Sequence, residues 1–227
     1  MKITILTGAG VSADSGLKTF RDHDGLWENH SVYEVATPEE WQRDKQLVLE
    51  FYNQRRVDVA KAQPNAGHFA LAELEKRFED TIIITQNIDD LHERAGSKKV
   101  IHLHGQINQS RSTLNGAVFN ISGSALNLGD MCPLGSQLRP HIVWFGEQVP
   151  MLEAAIPFFT NADVLIIAGT SLEVYPAAGL IHYVGRNTKK FIVDPKIPDS
   201  VAFKDFSFYR ESAATGLPRL VAYLLGI

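Results

Sequence analysis

The sequence of 227 residues is poor in cysteine, and Cys132 is the only one. A single cysteine excludes an internal disulfide and any zinc site made only of cysteines from one chain. Disulfides are typical of oxidising compartments and rare in the cytosol. We therefore expect a cytoplasmic protein in a reducing environment.

Long apolar runs and long runs of charge are also missing. No stretch approaches the roughly 20 apolar residues that a membrane helix needs, and Met1 and Lys2 lead into a strand-like segment instead of a signal peptide. The net charge of −4 has no basic block behind it, and such blocks are typical of nucleic-acid grooves and polybasic anchors. We expect no membrane and no nucleic acid as partners.

The regular elements follow an alternating order. Apolar, largely β-branched runs occur at residues 3–6, 81–85, 164–167 and 191–193. Runs of this kind are typical of strands buried on both faces, as in a parallel sheet. Between them, Leu71, Leu74 and Phe78 share one helix face, and Pro38 can start one long helix to Lys61. The sequence predicts an α/β fold, a Rossmann-like doubly wound parallel sheet with a small inserted module.

We expect one domain over residues 1–227. The predicted parts are a Rossmann core from 1–35, 65–105 and 139–227, a helical insertion 36–64 and a small module 106–138. The module is rich in Ser, Asn and Gly without a helical period. A segment of that length is usually functional or folds as its own unit.

A glycine-rich turn follows the first strand. Gly8-Ala9-Gly10, with Ala13 three positions on, matches the dinucleotide fingerprint G-x-G-x-x-G/A. Tight turns also need glycine for steric reasons, so the turn alone does not decide between binding and structure. The next polar residues favour an anion, because we expect them beside a helix N-terminus. They are Ser12, Asp14 and Ser15.

A dehydrogenase would need one more feature, which is absent. Its fingerprint includes an acidic residue at the end of the second strand, about 20 positions beyond the glycines. Residues 20–30 form a polar loop and not a strand end. Hydride transfer is therefore a poor prediction.

Polar residues follow two further strands. Gln86-Asn87-Ile88-Asp89 come after one, and Gly169-Thr170-Ser171 after another. Ligands of α/β sheets bind at such carboxyl ends, and an amide and a carboxylate two apart can bind a carboxamide such as that of nicotinamide. Capping of the next helix is the alternative, and it accounts for Asn87 or Asp89 but not for both.

Two histidines alternate in VIHLHG, so His102 and His104 are predicted on one strand face. A metal pair lacks an evident third ligand, and a lone histidine is more often structural. At a strand end, however, a histidine can be a general base because its pKa lies near neutrality. The later segment Arg139–Glu147 can pair with an extended peptide or be a core strand with Trp144 buried.

Taken together, five motifs resemble those of the sirtuin family of NAD-dependent protein-lysine deacylases, in the family's order and over almost the whole chain. The motifs are GAGVSADSG with Phe20-Arg21, TQNID, His104-Gly105, LRPHIVWFGE and GTSLEVYPAA. Sirtuins consume NAD: the acyl-lysine carbonyl oxygen attacks the nicotinamide ribose and expels nicotinamide, giving lysine and O-acyl-ADP-ribose.

The resemblance implies roles for individual residues. Asn87 and Asp89 would hold the nicotinamide carboxamide and the ribose, and His104 would be the general base. Phe20 would shield the reactive centre, and Arg21 would order the cofactor loop.

Further residues are implied in binding NAD and the acyl-lysine peptide. The other NAD contacts would be Gly8, Ala9, Gly10, Ser12, Ser15, Gln86, Ile88, Gly169, Thr170, Ser171, Asp194 and Ala213. Asp194 stands where the family usually has an asparagine, and its carboxylate can accept from both adenosine ribose hydroxyls. The peptide would meet the chain at Val143, Phe145, Gly146, Glu147 and Val174.

A second resemblance concerns the acyl group: Glu34-Val35-Ala36-Thr37-Pro38, followed by Phe51-Tyr52-Asn53-Gln54-Arg55-Arg56, is similar to class III sirtuins. Tyr52 and Arg55 lie three apart on one helix face and suit an acyl chain that ends in a carboxylate, such as succinyl, malonyl or glutaryl. Ala36 would leave room for the longer chain. The alternative is that Arg55 and Arg56 are solvated surface residues.

The sequence departs from the family in its zinc module. Sirtuins commonly carry two C-x-x-C pairs there, which form a closed structural site, and only Cys132 remains. We predict no metal and no zinc. The module would be held by hydrophobic contacts, with candidates Leu114, Val118, Phe119, Ile121, Leu126 and Leu128.

Other functions remain open for the same site. An NAD glycohydrolase or ADP-ribosyltransferase would pass the ribose to water or to a protein nucleophile. A catalytically idle NAD-binding module is a third hypothesis. We expect a monomer that acts on an acyl-lysine protein or peptide.

Overall fold

The computed structural model describes residues 1–18, 26–27, 30–196 and 204–227. The strands are β1 (Ile3–Thr7), β2 (Leu26–Trp27), β3 (His30–Ser31), β4 (Thr81–Thr85), β5 (Val100–His102), β6 (Gly105–Ser112), β7 (Val118–Asn120), β8 (Leu138–Ile142), β9 (Val164–Ala168), β10 (Lys189–Val193) and β11 (Phe206–Tyr209). The α-helices are α1 (Val32–Val35), α2 (Pro38–Arg43), α3 (Lys45–Lys61), α4 (Ala66–Arg77), α5 (Leu91–Arg94), α6 (Leu152–Thr160) and α7 (Ala213–Leu225).

Six strands form a parallel sheet in the order β11-β10-β9-β1-β4-β5. The chain passes from the central β1 to β4 and β5 on one side, and later to β9, β10 and β11 on the other. The order of strands therefore reverses at β1, which is where open α/β sheets bind ligands. The predicted doubly wound α/β fold is confirmed.

Both faces of this sheet are covered. On one face, Ile3, Ile5 and Ile83 pack with Leu71 of α4 and Leu217 of α7. On the other, strand residues such as Leu6 and Leu165 pack with Phe159 of α6. The continuous apolar strands follow from this two-sided burial, because successive side chains point to opposite faces.

The single long helix predicted from Pro38 to Lys61 is wrong. Asp44 separates α2 from α3, with a backbone conformation (φ −144°, ψ 83°) outside the helical region. Its side chain accepts a hydrogen bond from the N–H of Leu47 at 2.9 Å and so caps α3. Thr37 caps α2 by accepting from Glu40 N–H at 3.2 Å.

The glycine-rich turn does not open an α-helix, which corrects a second expectation. Two short 3₁₀ turns follow β1, at Ala9–Val11 and Ala13–Ser15. Gly16 ends the second turn with a positive φ of 87°, a conformation that glycine adopts without strain.

The small module contains a second sheet, antiparallel and of three strands, in the order β7-β6-β8. Asn53 of α3 holds the module at Leu126: its Nδ2 donates to the Leu126 oxygen at 3.0 Å, and its Oδ1 accepts from Leu126 N–H at 2.9 Å. Arg56 Nε donates to the Ile107 oxygen at 3.0 Å. Polar bonds from one helix thus attach the module to the core.

The predicted hydrophobic contacts of the module are only partly correct. Leu126 is buried, and Ile121 packs against the same cluster as Trp41, Tyr52 and Trp144. The exposed members of the predicted set are Leu114, Val118 and Leu128. A short module rich in polar residues has few side chains that can be buried. Hydrogen bonds from α3 therefore provide part of its attachment to the core. The boundaries at 36–64 and 106–138 stay a prediction.

In the part of the chain described, none of the helices has the length and apolar character required to cross a bilayer.

Candidate active site

A cavity of about 660 Å³ opens at the carboxyl edge of the main sheet. In the register of the strands, Thr7 of β1 pairs with Thr85 and Ala168. The chain therefore leaves β1, β4 and β9 at the same level, and the polar turns that follow meet there. The predicted residues that line the cavity are Gly8, Ala9, Gly10, Ser12, Ala36, Tyr52, Arg55, Gln86, Asn87, Ile88, Asp89, His104, Val143, Phe145, Gly146, Glu147, Gly169, Thr170, Ser171, Val174, Asp194 and Ala213.

Three predicted residues are not in this group. Ser15 does not line the cavity, and its Oγ accepts from Asn65 Nδ2 at 2.9 Å. Phe20 and Arg21 lie outside the described residues. The cavity also takes in residues that the sequence did not single out, among them Lys18, Lys196 and Ser212.

Three glycines bring the backbone close to the cavity. A Cβ atom at Gly8 would lie 2.7 Å from Thr170 Cβ, and one at Gly10 would lie 2.8 Å from Gly169 Cα. Gly169 has φ +61°, and a Cβ there would lie 2.2 Å from the nitrogen of Val11. The turns after β1 and β9 therefore require glycine for steric reasons and expose backbone to any ligand in the cavity.

Ser12 connects the amide and carboxylate that follow β4. Its hydroxyl donates to Asp89 Oδ2 at 3.0 Å and accepts from Asn87 Nδ2 at 3.3 Å. Asp89 Oδ1 also accepts from the N–H of Leu91, the first residue of α5, at 3.1 Å, although the N-cap residue is Asp90. Asp89 therefore bonds to the start of the helix and lines the cavity as well. Burial raises the pKa of Asp89, and the bonds from Leu91 and Ser12 oppose this rise.

The buried side chain of His68 contacts the Ser12 hydroxyl, and the sequence does not predict this contact. Asn65 N–H donates to His68 Nδ1 at 3.2 Å, so Nε2 carries the proton and faces Ser12 Oγ at 3.5 Å. Burial lowers the pKa of His68 to about 4, which keeps the ring neutral. The only sequence signal is the N-x-x-H spacing of Asn65 and His68, which forms a capping box at the start of α4.

The two histidines of VIHLHG have different environments, and the predicted shared strand face is wrong because β5 ends at His102. His102 is buried: its Nδ1 donates to the Asn87 oxygen at 2.9 Å, and its Nε2 lies 2.8 Å from Glu93 Oε1. Burial alone lowers the pKa of His102, but Glu93, the Asn87 carbonyl and Asp89 outweigh it and raise the pKa.

His104 is the histidine that lines the cavity. Its Nδ1 lies 3.0 Å from the Gln86 oxygen, which can only accept, so Nδ1 carries the proton and Nε2 is the basic nitrogen. Burial lowers the pKa of His104, and the bond to Gln86 opposes this only in part. The ring is therefore a neutral base at physiological pH.

Tyr52 and Arg55 lie at another part of the cavity wall, one turn apart on α3. Both are buried, with 0% and 6% of their surface exposed, and Arg56 is 4% exposed. The alternative of solvated surface arginines is therefore wrong. Arg56 does not line the cavity but binds the small module. Burial raises the pKa of Tyr52, which keeps its hydroxyl protonated.

The segment after β8 forms the cavity rim. Val143 N–H donates to the His104 oxygen at 2.9 Å, and Phe145 N–H donates to the Ala36 oxygen at 2.9 Å. These two amides are used within the chain, so a peptide would pair with the carbonyl groups here. Trp144 between them is buried, but it lies beyond the end of β8 at Ile142, so the core-strand alternative is only partly correct.

Within the ranges that the structure describes, no three His, Cys, Asp or Glu side chains are arranged to hold a metal ion. Cys132 is buried, and its Sγ accepts from Ser112 Oγ at 3.4 Å.

The chain is similar to known proteins over most of its length. The model of the Sir2 family matches residues 8–176. An NAD-dependent protein deacylase of Bacteroides thetaiotaomicron is 47% identical, and the match covers 98% of this chain and 97% of that protein. One of Helicobacter pylori with the same name is 48% identical, with 98% and 97% covered.

Solved structures agree with this similarity. An ADP-ribose complex of a mutant Sir2 homologue superposes with a TM-score of 0.90 at 40% identity, covering 99% of this chain and 92% of that one. A complex of a Sir2 homologue with NAD gives a TM-score of 0.89 at 41% identity, with 99% and 90% covered. A complex of a mutant Sir2 with a p53 peptide and NAD gives 0.79 at 31% identity, with 99% and 93% covered.

Proposed function

The chain belongs to the Sir2 family of NAD-dependent protein deacylases, and we propose that it removes acyl groups ending in a carboxylate, such as succinyl, malonyl or glutaryl, from protein lysines. The observation that carries this proposal is Arg55, a guanidinium in the cavity wall with 6% of its surface exposed, one helical turn from the Tyr52 hydroxyl.

The cavity fits NAD at the turns after β1 and β9. Backbone at Gly8, Gly10 and Gly169 forms a glycine cradle in the cavity wall, where the turns pack so closely that an added Cβ would clash with neighbouring protein atoms. The volume of the whole cavity, about 660 Å³, falls within the range of roughly 300–1,000 Å³ for ligand pockets. When bound, NAD supplies a ribose carbon whose bond to nicotinamide is easily broken.

Asn87 and Asp89 are proposed to orient the nicotinamide carboxamide and its ribose. Their Ser12-centred bonds fix both side chains before any ligand enters, which limits the conformational entropy lost on binding. His104 is proposed to take a proton from a ribose hydroxyl through Nε2, because the Gln86 carbonyl holds the proton on Nδ1. Asp194, also in the cavity wall, is proposed to bind the adenosine ribose.

Tyr52 and Arg55 are proposed to bind the distal acyl carboxylate. A guanidinium and a phenol in a buried wall give short, charge-assisted hydrogen bonds to a carboxylate. Acetyl-lysine has no such group, so it would use neither side chain. The small Ala36 faces the same cavity and leaves space for a longer acyl chain.

The environment of the enzyme is part of the proposal. The single Cys132 suits a reducing compartment, and we expect a cytoplasmic monomer acting on proteins or peptides. The same proposal includes Phe20 as the residue that shields the reactive centre and Arg21 as the residue that orders the cofactor loop. It also includes the absence of zinc.

The test is a panel of one peptide carrying acetyl-, succinyl-, malonyl-, glutaryl- or long-chain acyl-lysine, incubated with NAD and followed by mass spectrometry. The proposal expects nicotinamide, O-acyl-ADP-ribose and free lysine, with one water consumed in each turnover, and the fastest reaction for acyl groups with a carboxylate. Nicotinamide release at equal rates without peptide would indicate the alternative, an NAD glycohydrolase, and transfer of ADP-ribose to protein would indicate an ADP-ribosyltransferase.

A further inference from the structure

The Tyr52 hydroxyl is held by an indole. Trp144 Nε1 lies 3.1 Å from Tyr52 Oη, and both side chains are almost fully buried. An indole N–H can only donate, so the tyrosine oxygen is the acceptor in this bond. The hydroxyl hydrogen must therefore point in another direction, and Tyr52 itself lines the cavity.

The indole is fixed in turn by charged groups. The Arg139 guanidinium lies 3.5 Å from the centre of the Trp144 ring. Arg139 Nη2 donates to Glu147 Oε2 at 2.8 Å, and the same carboxylate oxygen accepts from the backbone N–H of Trp144 at 2.8 Å. On the apolar side, the Trp41 ring lies 5.8 Å away. The indole is therefore packed between a guanidinium and a second aromatic ring, and its backbone is held by Glu147.

We propose that Trp144 is a positioning residue for acyl recognition, whose indole N–H turns the Tyr52 hydroxyl hydrogen toward the carboxylate of the acyl group. This inference rests on the proposed function. Trp144 acts through Tyr52, and Arg139 and Glu147 fix Trp144. A phenol that is already oriented loses little rotational freedom when the acyl carboxylate arrives, so the bond strengthens binding of this substrate class alone.

The test replaces the indole N–H and measures succinyl-lysine and acetyl-lysine kinetics on one peptide. Trp144→Phe removes the donor and some volume. Incorporation of 3-benzothienylalanine at position 144 replaces the N–H by sulfur and keeps the ring shape, so it separates the bond from packing. Trp41→Phe is the matched control, because Trp41 packs on the same indole but does not line the cavity.

We expect both replacements at 144 to raise KM for succinyl-lysine by about tenfold, as for loss of one hydrogen bond to a charged group. With 3-benzothienylalanine, which keeps the ring shape of this cavity-lining residue, KM for acetyl-lysine and both kcat values should change less than about twofold. In a Tyr52→Phe background, the same replacements should have no further effect on succinyl KM, since the hydroxyl is already gone.

An unchanged ratio of succinyl to acetyl KM with 3-benzothienylalanine would overturn the role of Trp144, and equal effects in the Tyr52→Phe background would do so too. Failure of the proposed function looks different: the unaltered enzyme itself would then show no preference for succinyl-lysine over acetyl-lysine.

Discussion

Gly10 and Gly169 lie in direct backbone contact, and this contact joins the ends of β1 and β9. The Gly10 N–H donates to the Gly169 oxygen at 2.8 Å, and a Cβ at Gly10 would come within 2.9 Å of that same oxygen. Gly169 also adopts a positive φ of 61°. Two glycines from distant parts of the sequence therefore form one surface of the cavity.

Gly169→Ala should weaken NAD binding and destabilise the fold, because its Cβ would meet the Val11 nitrogen at 2.2 Å and the backbone must shift. Calorimetry should show at least tenfold weaker NAD binding, about 1.4 kcal/mol. Gly179→Ala is the control, since its Cβ would meet only Tyr175, at ordinary contact distances of 3.9 and 4.0 Å. Equal NAD affinity in the two variants would contradict a tight glycine cradle.

The fall of kcat/KM at low pH should show which histidine is the general base. Burial lowers the pKa of His104 from 6.5, and a general base works only when neutral, so kcat/KM should fall below pH 6.5 and not above it. The pKa of His102 is raised from the same value. A midpoint above pH 6.5 would therefore assign the titration to His102 and count against His104.

Asn53→Ala should loosen the small module. It removes both bonds to the backbone of Leu126 and one from Arg56 at 2.7 Å. Buried groups left without partners cost about 1–3 kcal/mol, which lowers Tm by about 2–4 °C per kcal/mol in a chain of this size. Scanning fluorimetry measures the change.

Gln54→Ala provides the control for Asn53→Ala. Gln54 is exposed and bonds to Asp58 on the same helix at 3.0 Å, so its loss should change stability by less than about 0.5 kcal/mol. Equal Tm values for the two variants would mean that Asn53 does not hold the module.

Metal removal should leave the protein unchanged. Cys132 is the only cysteine, and in the described chain it bonds to Ser112 without the histidine or carboxylate partners that a zinc site needs. We expect elemental analysis to find far less than one equivalent of zinc and EDTA to leave Tm and activity unaltered. Stoichiometric zinc, with a lower Tm after chelation, is the opposing result.

The sheet could be predicted from sequence because its strands are buried on both faces. Their apolar runs are continuous, and each ends in polar or glycine residues that the parallel register brings to one edge. By contrast, β11 (Phe206–Tyr209) is a partly exposed edge strand without such a run, and the helix break at Asp44 depends on a local cap. Neither the edge strand β11 nor the break at Asp44 produces a strong hydrophobic pattern that a single sequence would reveal.

The candidate site was predictable where residues follow strands, and less so where they lie on helices. Gln86, His104 and Gly169 belong to strand ends, whereas His68 supports Ser12 from a helix more than 50 residues away in sequence. The sequence predicts a buried Trp144 only as one of two alternatives, and its bond to Tyr52 depends on tertiary packing between α3 and the segment after β8. No periodicity encodes such contacts.

The most direct test of the proposed acyl class is the ratio of kcat/KM for succinyl-lysine to that for acetyl-lysine, measured on one peptide for the unaltered enzyme and for Arg55→Met. Methionine keeps much of the buried stem and removes the charge. We expect the unaltered enzyme to favour succinyl-lysine and Arg55→Met to lose at least tenfold on succinyl-lysine, about 1.4 kcal/mol, with little change on acetyl-lysine. Equal losses on both substrates would contradict a carboxylate-binding role for Arg55.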